Sequence, residues 1–456
     1  MRNGSCGMGA IAALGASVLM LGCGSGGGGG GNKTDSGTPL SPGGSGAFGI
    51  VTVGGKQKMY LPQPSAYYTP AGDATIAVVD VGVAGNGVAG APALLTTIDL
   101  GTAEGVTATG GTSSVVIAAS TQNNRIYFID PTTDTVEKSI TLDATYGVSS
   151  FSGGGGYVTG VAVDAESNKA YLSVWNGFAV VDLASETITG TIQVPPSENF
   201  GFDSANHRIL APFYDCGSAI NSNSTSTASL TFCADYVDEA GDPMTDGLNI
   251  IDLADNNTVY TYQDPSATDP TAPLGDEPDS ASADPTSGKI VVPSELQSYE
   301  YVLDLSKATF DKTKKSVTAP HVVIDATGAD ELTGVAIEPS SHIAFFESEG
   351  GGDMGAADLG TATATMSTYV HANLPSLPDA SYWFNISDPH GIAVTTAMAG
   401  GHPVGFLVNS EYNWVARVDL QKLLSLPTTA DVYDPTQLDV ADASAAVTYL
   451  DATKAP

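Results

Sequence analysis

Basic residues are scarce in this chain. Only 16 Lys and Arg stand against 50 Asp and Glu in 456 residues, which gives a formal net charge of −34 at pH 7. A surface this acidic repels phosphate backbones and anionic lipid head groups, so nucleic-acid binding is excluded. The same surface favours cations, basic partners or simply high solubility.

Helical periodicity and the common catalytic signatures are also missing. No long segment repeats apolar residues every 3.6 positions, as an amphipathic helix would. The sequence has no G-x-S-x-G motif, no P-loop and no H-E-x-x-H motif, so the usual nucleophile, phosphate and zinc-protease sites are absent. The hydrophobic fraction of 42% is ample for a large core, and 53 Gly and 26 Pro favour many tight turns.

The N-terminus has the pattern of an export signal. Arg2 precedes a short apolar stretch, residues 8–21, which is too short to span a bilayer and is typical of a signal peptide. The stretch ends in Leu-Met-Leu-Gly-Cys, which resembles the bacterial lipobox, with Met20 where Leu is usual. That resemblance implies cleavage before Cys23, diacylglycerol on its thiol, and a cell-envelope location in which a lipid anchor is the only attachment to the membrane. An ordinary signal peptide is the alternative.

A tether and one large domain follow the signal. Residues 1–22 are the predicted signal peptide, 23–47 the lipidated Cys and a Gly-rich flexible spacer, and 48–456 a single domain. Of the 4 cysteines, Cys6 lies in the signal and Cys23 at the lipobox. We expect the remaining pair, Cys216 and Cys233, to form a disulfide in this exported protein.

Residues 157–194 contain four short runs rich in β-branched and aromatic residues, at 160–164, 170–174, 178–182 and 187–194. Polar turns separate the runs, which is the pattern of an antiparallel meander. The pattern recurs along most of the chain, so it predicts an all-β fold: a β-propeller of four-stranded antiparallel blades. Seven repeats fit the length best, and six or eight are the alternatives.

The most regular repeats resemble the YVTN family of β-propellers. The resemblance lies in G-V-A-V-D at Gly160, an A-Y-L run, an N-G turn and V-V-D-L, and it covers about residues 48–451. It implies a propeller fold and little chemistry, because that family includes surface-layer, binding and enzyme-like members.

Aligning the repeats places one residue of each blade at the mouth of the axial channel. These residues are Phe48, Glu104, Thr159, Glu198, Asp279, Thr333 and His390, with Asn199 and Glu331 close by. Oxygen-rich rings favour hard cations, so Glu104, Glu198, Asp279 and His390 are the candidate ligands of a divalent cation such as Ca²⁺. An ordinary polar lining of a wet channel is the alternative.

His390 is also the one candidate catalytic residue. It lies in Pro-His-Gly-Ile-Ala-Val, which resembles an element of YVTN-like and lyase-like propellers whose histidine binds metal or acts in catalysis in some relatives. The rest of those enzymes' residues are not recognisable. His207, His342, His321 and His402 are predicted to be structural.

Two acidic insertions, residues 214–246 and 263–279, are expected on the same face as the axial ring. The favoured function is a monomeric binding module that recognises a protein, a glycan or a small molecule through this face. The alternatives are a metal-dependent hydrolase, lactonase or lyase that uses the axial ring, and a purely structural cell-surface protein.

Overall fold

The computed structural model describes the residues that build the blades. The described ranges are 48–63, 75–84, 93–100, 108–120, 125–142, 160–174, 177–195, 197, 199–214, 237–238, 240–242, 244–297, 299–325, 332–348, 353–360, 370–373, 389–399, 402–409, 414–424 and 447–451. They form seven antiparallel meanders, each of which makes one sheet. The chain is therefore a seven-bladed β-propeller, as the repeat count predicts.

Each blade takes its four meander strands in sequence order, and its first strand is the innermost. Blade one has β1 Gly49–Val53, β2 Lys56–Gln63, β3 Thr75–Ala84 and β4 Ala93–Asp99. Blade two has β5 Ala108–Gly111, β6 Val116–Ser120, β7 Arg125–Asp130 and β8 Thr135–Thr141. Blade three has β9 Val161–Asp164, β10 Lys169–Val174, β11 Gly177–Asp182 and β12 Thr187–Gln193. Blade four has β13 Gly201–Asp203, β14 Arg208–Phe213, β15 Gly247–Asp252 and β16 Thr258–Tyr262.

The last three blades follow the same order. Blade five has β17 Ser282–Asp284, β18 Lys289–Ser294, β19 Tyr299–Asp304 and, later in the chain, β22 His321–Asp325. Blade six has β23 Leu332–Glu338, β24 Ile343–Ser348, β25 Asp353–Asp358 and β26 Val370–Asn373. Blade seven has β27 Pro389–Ala399, β28 His402–Asn409, β29 Trp414–Asp419 and β30 Val447–Asp451, with the one-turn helix α1 Leu420–Leu424 after β29.

The turns between first and second strands are fixed by side chains that cap them. In blade three, Asn168 adopts a left-handed φ of 56°. The Asp164 carboxylate accepts hydrogen bonds from the backbone N–H groups of Glu166 and Ser167. Such Asx turns hold the two strands in register because they satisfy backbone donors that the ladder leaves free.

Apolar side chains on facing sheets form the core, which lies between blades rather than in one central mass. The innermost strands approach so closely that a Cβ on Gly49 would lie 2.9 Å from the Cα of Gly110. Gly201 is packed equally tightly, because its Cβ would lie 2.5 Å from the Ala281 carbonyl oxygen. Glycine at these positions lets the inner strands of neighbouring blades meet.

Blade seven closes the ring by packing on blade one, without sharing a strand with it. The C-terminal strand β30 pairs with β29 and completes blade seven. Phe406 of blade seven packs in one cluster with Met59 and Val79 of blade one. The Thr395 hydroxyl donates a 2.8 Å hydrogen bond to the Gln57 side-chain oxygen across the same interface.

An extra hairpin covers the outer edge of blade four. Residues 305–320 form a short 3-10 helix Leu305–Lys307 and the strands β20 Thr309–Asp311 and β21 Ser316–Thr318. Strand β21 pairs in parallel with β16, so the sheet of blade four has six strands. The hairpin supplies hydrogen-bond partners for backbone groups of β16, which would be an unpaired edge strand in a four-stranded blade.

Candidate functional site

The two acidic insertions emerge at one end of blades four and five. Residues 214–246 join β14 to β15, and residues 263–281 join β16 to β17. Strands β14 and β16 run in the same direction, because each pairs antiparallel with β15. We call this end, with the described parts of both insertions and the turn residues 295–297, the insertion face.

Hydrogen bonds join the two insertions into one structure. The backbone N–H groups of Thr245 and Asp246 donate to the Thr271 carbonyl over 3.0 and 3.3 Å. The side-chain amide of Gln263 donates to the Val237 carbonyl over 3.3 Å. Since these contacts cross from one insertion to the other, the described parts of both are held in a single arrangement.

The second insertion is also fastened to blade five. Pro278 forms an isolated bridge with Ser294, and the Ser294 hydroxyl donates to the Asp276 carbonyl over 2.7 Å. The Glu295 N–H donates to the Glu277 carbonyl over 2.8 Å. Leu274 is fully buried in the apolar cluster between blades four and five. The insertion is therefore pre-organised on the rigid propeller, as binding surfaces commonly are.

Exposed apolar side chains gather on the insertion face. Val237, Leu296 and Tyr299 are 41%, 55% and 39% exposed. The other exposed large apolar residues among those described, Leu95 and Val136, lie on the outermost strands β4 and β8. Apolar groups concentrated on one face indicate a contact surface.

Exposed carboxylates share the insertion face with these apolar groups. The described residues Asp242, Asp269 and Asp276 are all exposed on the insertions. A partner that covers this face meets a negative field around apolar contacts, which favours a partner with both positive and apolar groups.

Three of the predicted axial residues, Asp279, Phe48 and Thr333, have described side chains, and all three are buried. Asp279 is buried, and its carboxylate accepts a 3.1 Å hydrogen bond from the side-chain amide of Asn199, which links blade five to the loop that enters blade four. The backbone N–H of Asn199 donates to the Asp279 carbonyl as well, over 3.3 Å. Phe48 packs in the apolar interface of blades one and seven, so it provides no ligand. Thr333 is buried at the start of β23.

The structure does not describe the side chains of the other axial candidates. Glu104, Thr159, Glu198 and Glu331 lie outside the described residues, and His390 belongs to β27 by its backbone alone. Within the described ranges, no group of three or more His, Cys, Asp or Glu side chains has a metal-binding arrangement. The axial Ca²⁺ site and the catalytic role of His390 stay predictions.

The expectations for the cysteines and the N-terminus also stay predictions. Cys23, Cys216 and Cys233 lie outside the described residues, as do the signal peptide and the tether. In the part of the chain that the structure describes, no helix has the length and hydropathy that a membrane crossing requires.

Two histidines connect neighbouring blades at the opposite end of the propeller. His207 Nδ1 of blade four lies 3.1 Å from Asp164 Oδ2 of blade three. His342 Nδ1 of blade six lies 2.6 Å from Asp284 Oδ2 of blade five. Both histidines have left-handed φ angles in the turn before the second strand. The sequence predicts a structural role for both histidines, but it does not indicate that their turns pair with the preceding blade.

Comparison with known proteins supports the fold alone. The hydrazine synthase of Kuenenia stuttgartiensis superposes with a TM-score of 0.53 at 10% identity, over 85% of this chain and 97% of that chain. A complex of KlAtg21 with the coiled coil of AgAtg16 gives a TM-score of 0.48 at 7% identity, over 82% and 94% of the two chains. No protein-family model and no curated protein matches the chain.

Proposed function

We propose that this seven-bladed β-propeller is a lipid-anchored binding module of the bacterial cell envelope that recognises its partner through the insertion face. The observation that carries the proposal is the fastening of both insertions to each other and to blade five. A surface that is already ordered loses little conformational entropy when a partner binds, so more of the contact energy appears as affinity.

The anchor and tether of this proposal rest on the sequence. The lipobox-like segment at Cys23 and the Gly-rich residues 24–31 would hold the propeller near a membrane while leaving it free to rotate. The resemblance of several blades to YVTN repeats agrees with a role at the cell surface. Whether the protein faces the periplasm or the exterior follows from the leaflet that receives the lipid.

The chemistry of the insertion face defines the class of partner. Leu296 and Tyr299 offer an aliphatic and an aromatic contact on blade five, and the exposed carboxylates of Asp276 and Asp269 belong to the same insertion face. Aromatic side chains are frequent binding anchors because they bury much area at a small entropic cost. We therefore propose that the partner is a protein, glycan or small molecule that presents positive and apolar groups together.

Radical footprinting in the native envelope tests this proposal without a known partner. Leu296 and Tyr299 should be labelled several-fold less in intact cells than in the purified protein, because the partner covers them. Leu95, which is 39% exposed on the outermost strand β4, is the matched control and should be labelled equally in both. Equal labelling of Leu296 and Tyr299 in cells and in solution would overturn recognition through this face.

A further inference from the structure

Blade five differs from the other six blades at one strand position. In every blade, the first residue of the third strand pairs with the last residue of the second strand. Positions counted from the start of the third strand can therefore be compared between blades. The second residue of the third strand is Glu300 in blade five. The corresponding residues of the other blades are all apolar: Ile76, Ile126, Phe178, Leu248, Met354 and Val415.

The Glu300 side chain is sealed inside the propeller. Its exposed fraction is 0%, and neither carboxylate oxygen has a hydrogen-bond partner. Its neighbours across the sheet are Pro293, which has no N–H to donate, and Ile324. Strand alternation puts Glu300 on the same face as Val302, which packs against Phe346 of blade six. Glu300 therefore faces the seam between blades five and six.

Two hydroxyl groups without partners lie at the same seam. Ser280 and Thr333 are each 4% exposed, and neither hydroxyl has a hydrogen-bond partner. Ser280 lies two residues before Ser282, whose Oγ accepts the Ile337 N–H of blade six over 3.2 Å. Thr333 is the extra residue at a register shift at the start of β23. We call Glu300, Ser280 and Thr333 the seam site.

The seam site is unusual among the buried polar groups that the structure describes. Arg208 and Asn249 also have a buried nitrogen without a partner. However, Arg208 pairs with Asp252 through its guanidinium, and Asn249 accepts a hydrogen bond from Thr261 through its amide oxygen. Buried polar groups are nearly always satisfied in native proteins, so three unsatisfied side chains in one seam indicate a common partner.

The charged groups on the surrounding strands do not serve as that partner. On β18, Lys289 lies at the far end of the strand, where its ammonium donates to the Leu359 carbonyl. On β22, His321 contacts Asp264 on the side of blade four. On β24, Glu347 lies against Gly334 on the face opposite Phe346. Without a charged partner, burial alone raises the pKa of Glu300 well above its usual range.

We propose that the seam site binds a small monovalent cation, Na⁺ or K⁺, with the Glu300 carboxylate as the charged ligand and the hydroxyls of Ser280 and Thr333 as neutral ones. The donor set consists of oxygen alone, which suits hard cations. A single carboxylate balances one positive charge, whereas divalent sites in proteins usually include several carboxylates. The cation ties blade five to blade six and allows Glu300 to be ionised while it is buried.

Thermal unfolding in different chloride salts tests the seam site. At pH 7 and constant ionic strength, replacing choline chloride with NaCl or KCl should raise the Tm of the wild-type protein by about 3 °C or more. Glu300→Gln, which keeps the shape but not the charge, should lose this difference. Glu300→Met, which inserts the residue found at this position in blade six, should also lose the difference between salts. In choline chloride, its Tm should match or exceed the Tm of the wild-type protein. Met354→Leu is the control at the corresponding position and should keep the response.

Two results would overturn the seam site. One is a wild-type Tm that is equal in all three salts and falls as the pH rises from 6 to 9, which would mean that Glu300 is simply a neutral acid. The other is an equal salt response in wild type and Glu300→Met, which would place cation binding elsewhere. Sodium NMR gives a direct readout, since line broadening by the wild-type protein should disappear in both Glu300 variants.

Discussion

His342 Nδ1 lies 2.6 Å from Asp284 Oδ2, so a histidine in the turn of blade six donates to a buried carboxylate of blade five. The same carboxylate accepts hydrogen bonds from the hydroxyls of Thr286 and Ser287, over 2.7 and 2.6 Å. Burial opposes ionisation of Asp284, but the hydrogen bonds from Ser287, Thr286 and His342 outweigh it and lower its pKa to about 2.

That pKa predicts acid sensitivity of the blade five–six interface. The folded pKa of Asp284 is below that of the unfolded chain, about 3.9, so ionised Asp284 stabilises the fold above pH 4. The stabilisation, on the order of 2 kcal/mol, is lost as the pH falls from about 4 to about 2. Denaturant unfolding across this range should show a shallower pH dependence in Asp284→Asn, with His342→Ala intermediate. An unchanged slope in Asp284→Asn would contradict the prediction.

Close packing of the inner strands predicts a position-specific effect of added methyl groups. Gly201→Ala should lower the free energy of unfolding by about 1–3 kcal/mol, because its Cβ would lie 2.5 Å from the Ala281 oxygen and 2.9 Å from its carbonyl carbon. Gly190→Ala on the outer strand β12 meets no atom within 4 Å and should stay within about 0.5 kcal/mol of wild type. Equal denaturation midpoints of the two variants would be incompatible with this packing.

The axial ring predicts stabilisation by Ca²⁺. Carboxylates from Glu104, Glu198 and Asp279 would repel one another around the channel, and a divalent ion would relieve the repulsion and raise the Tm as it binds. Glu198→Ala combined with Asp279→Ala should remove the Ca²⁺ response and leave the propeller folded. Glu300→Gln serves as the control, because it changes the seam site alone and should keep the response. A melting curve indifferent to both chelator and Ca²⁺ would leave the ring as a polar lining.

The cysteine pair predicts a local staple in the first insertion. A Cys216–Cys233 disulfide closes a loop of 17 residues. In the loop-entropy model, it would stabilise the folded state by about 3 kcal/mol because it lowers the entropy of the unfolded chain. Thiol titration of the exported, non-reduced protein should find neither residue reactive. Two reactive thiols would refute the bridge. Limited proteolysis within residues 214–236 should accelerate after reduction, while the blades remain intact.

The sequence predicts the propeller well because each blade is a local pattern. Turn residues such as Asn168 and β-branched runs such as β11 recur at regular spacing, so the repeats predict a propeller and favour seven blades over six or eight. The covering hairpin does not follow. Its strands, β20 and β21, are three residues long, and one of them pairs in parallel with a strand more than fifty residues earlier. Such short segments carry no periodicity to detect.

The candidate site was predicted less completely than the fold. The sequence indicates that both insertions decorate one face, because loop positions follow from strand order. It does not indicate that Thr245 and Thr271 join them, since hydrogen bonds between loops leave no composition signal. Glu300 was overlooked because it stands inside an otherwise ordinary β run, and its burial depends on a neighbouring blade.

Ring closure without an exchanged strand has a consequence for how the protein is made. The first three blades complete their own ladders from contiguous sequence, so each can form as soon as it leaves a ribosome or an export channel. The fourth gains its outer cover after β19 has been synthesised, because β20 and β21 follow that strand. The contact of Phe406 with Met59 then joins the last blade to the first. This strand order favours vectorial assembly, in which the final step is the docking of two finished surfaces.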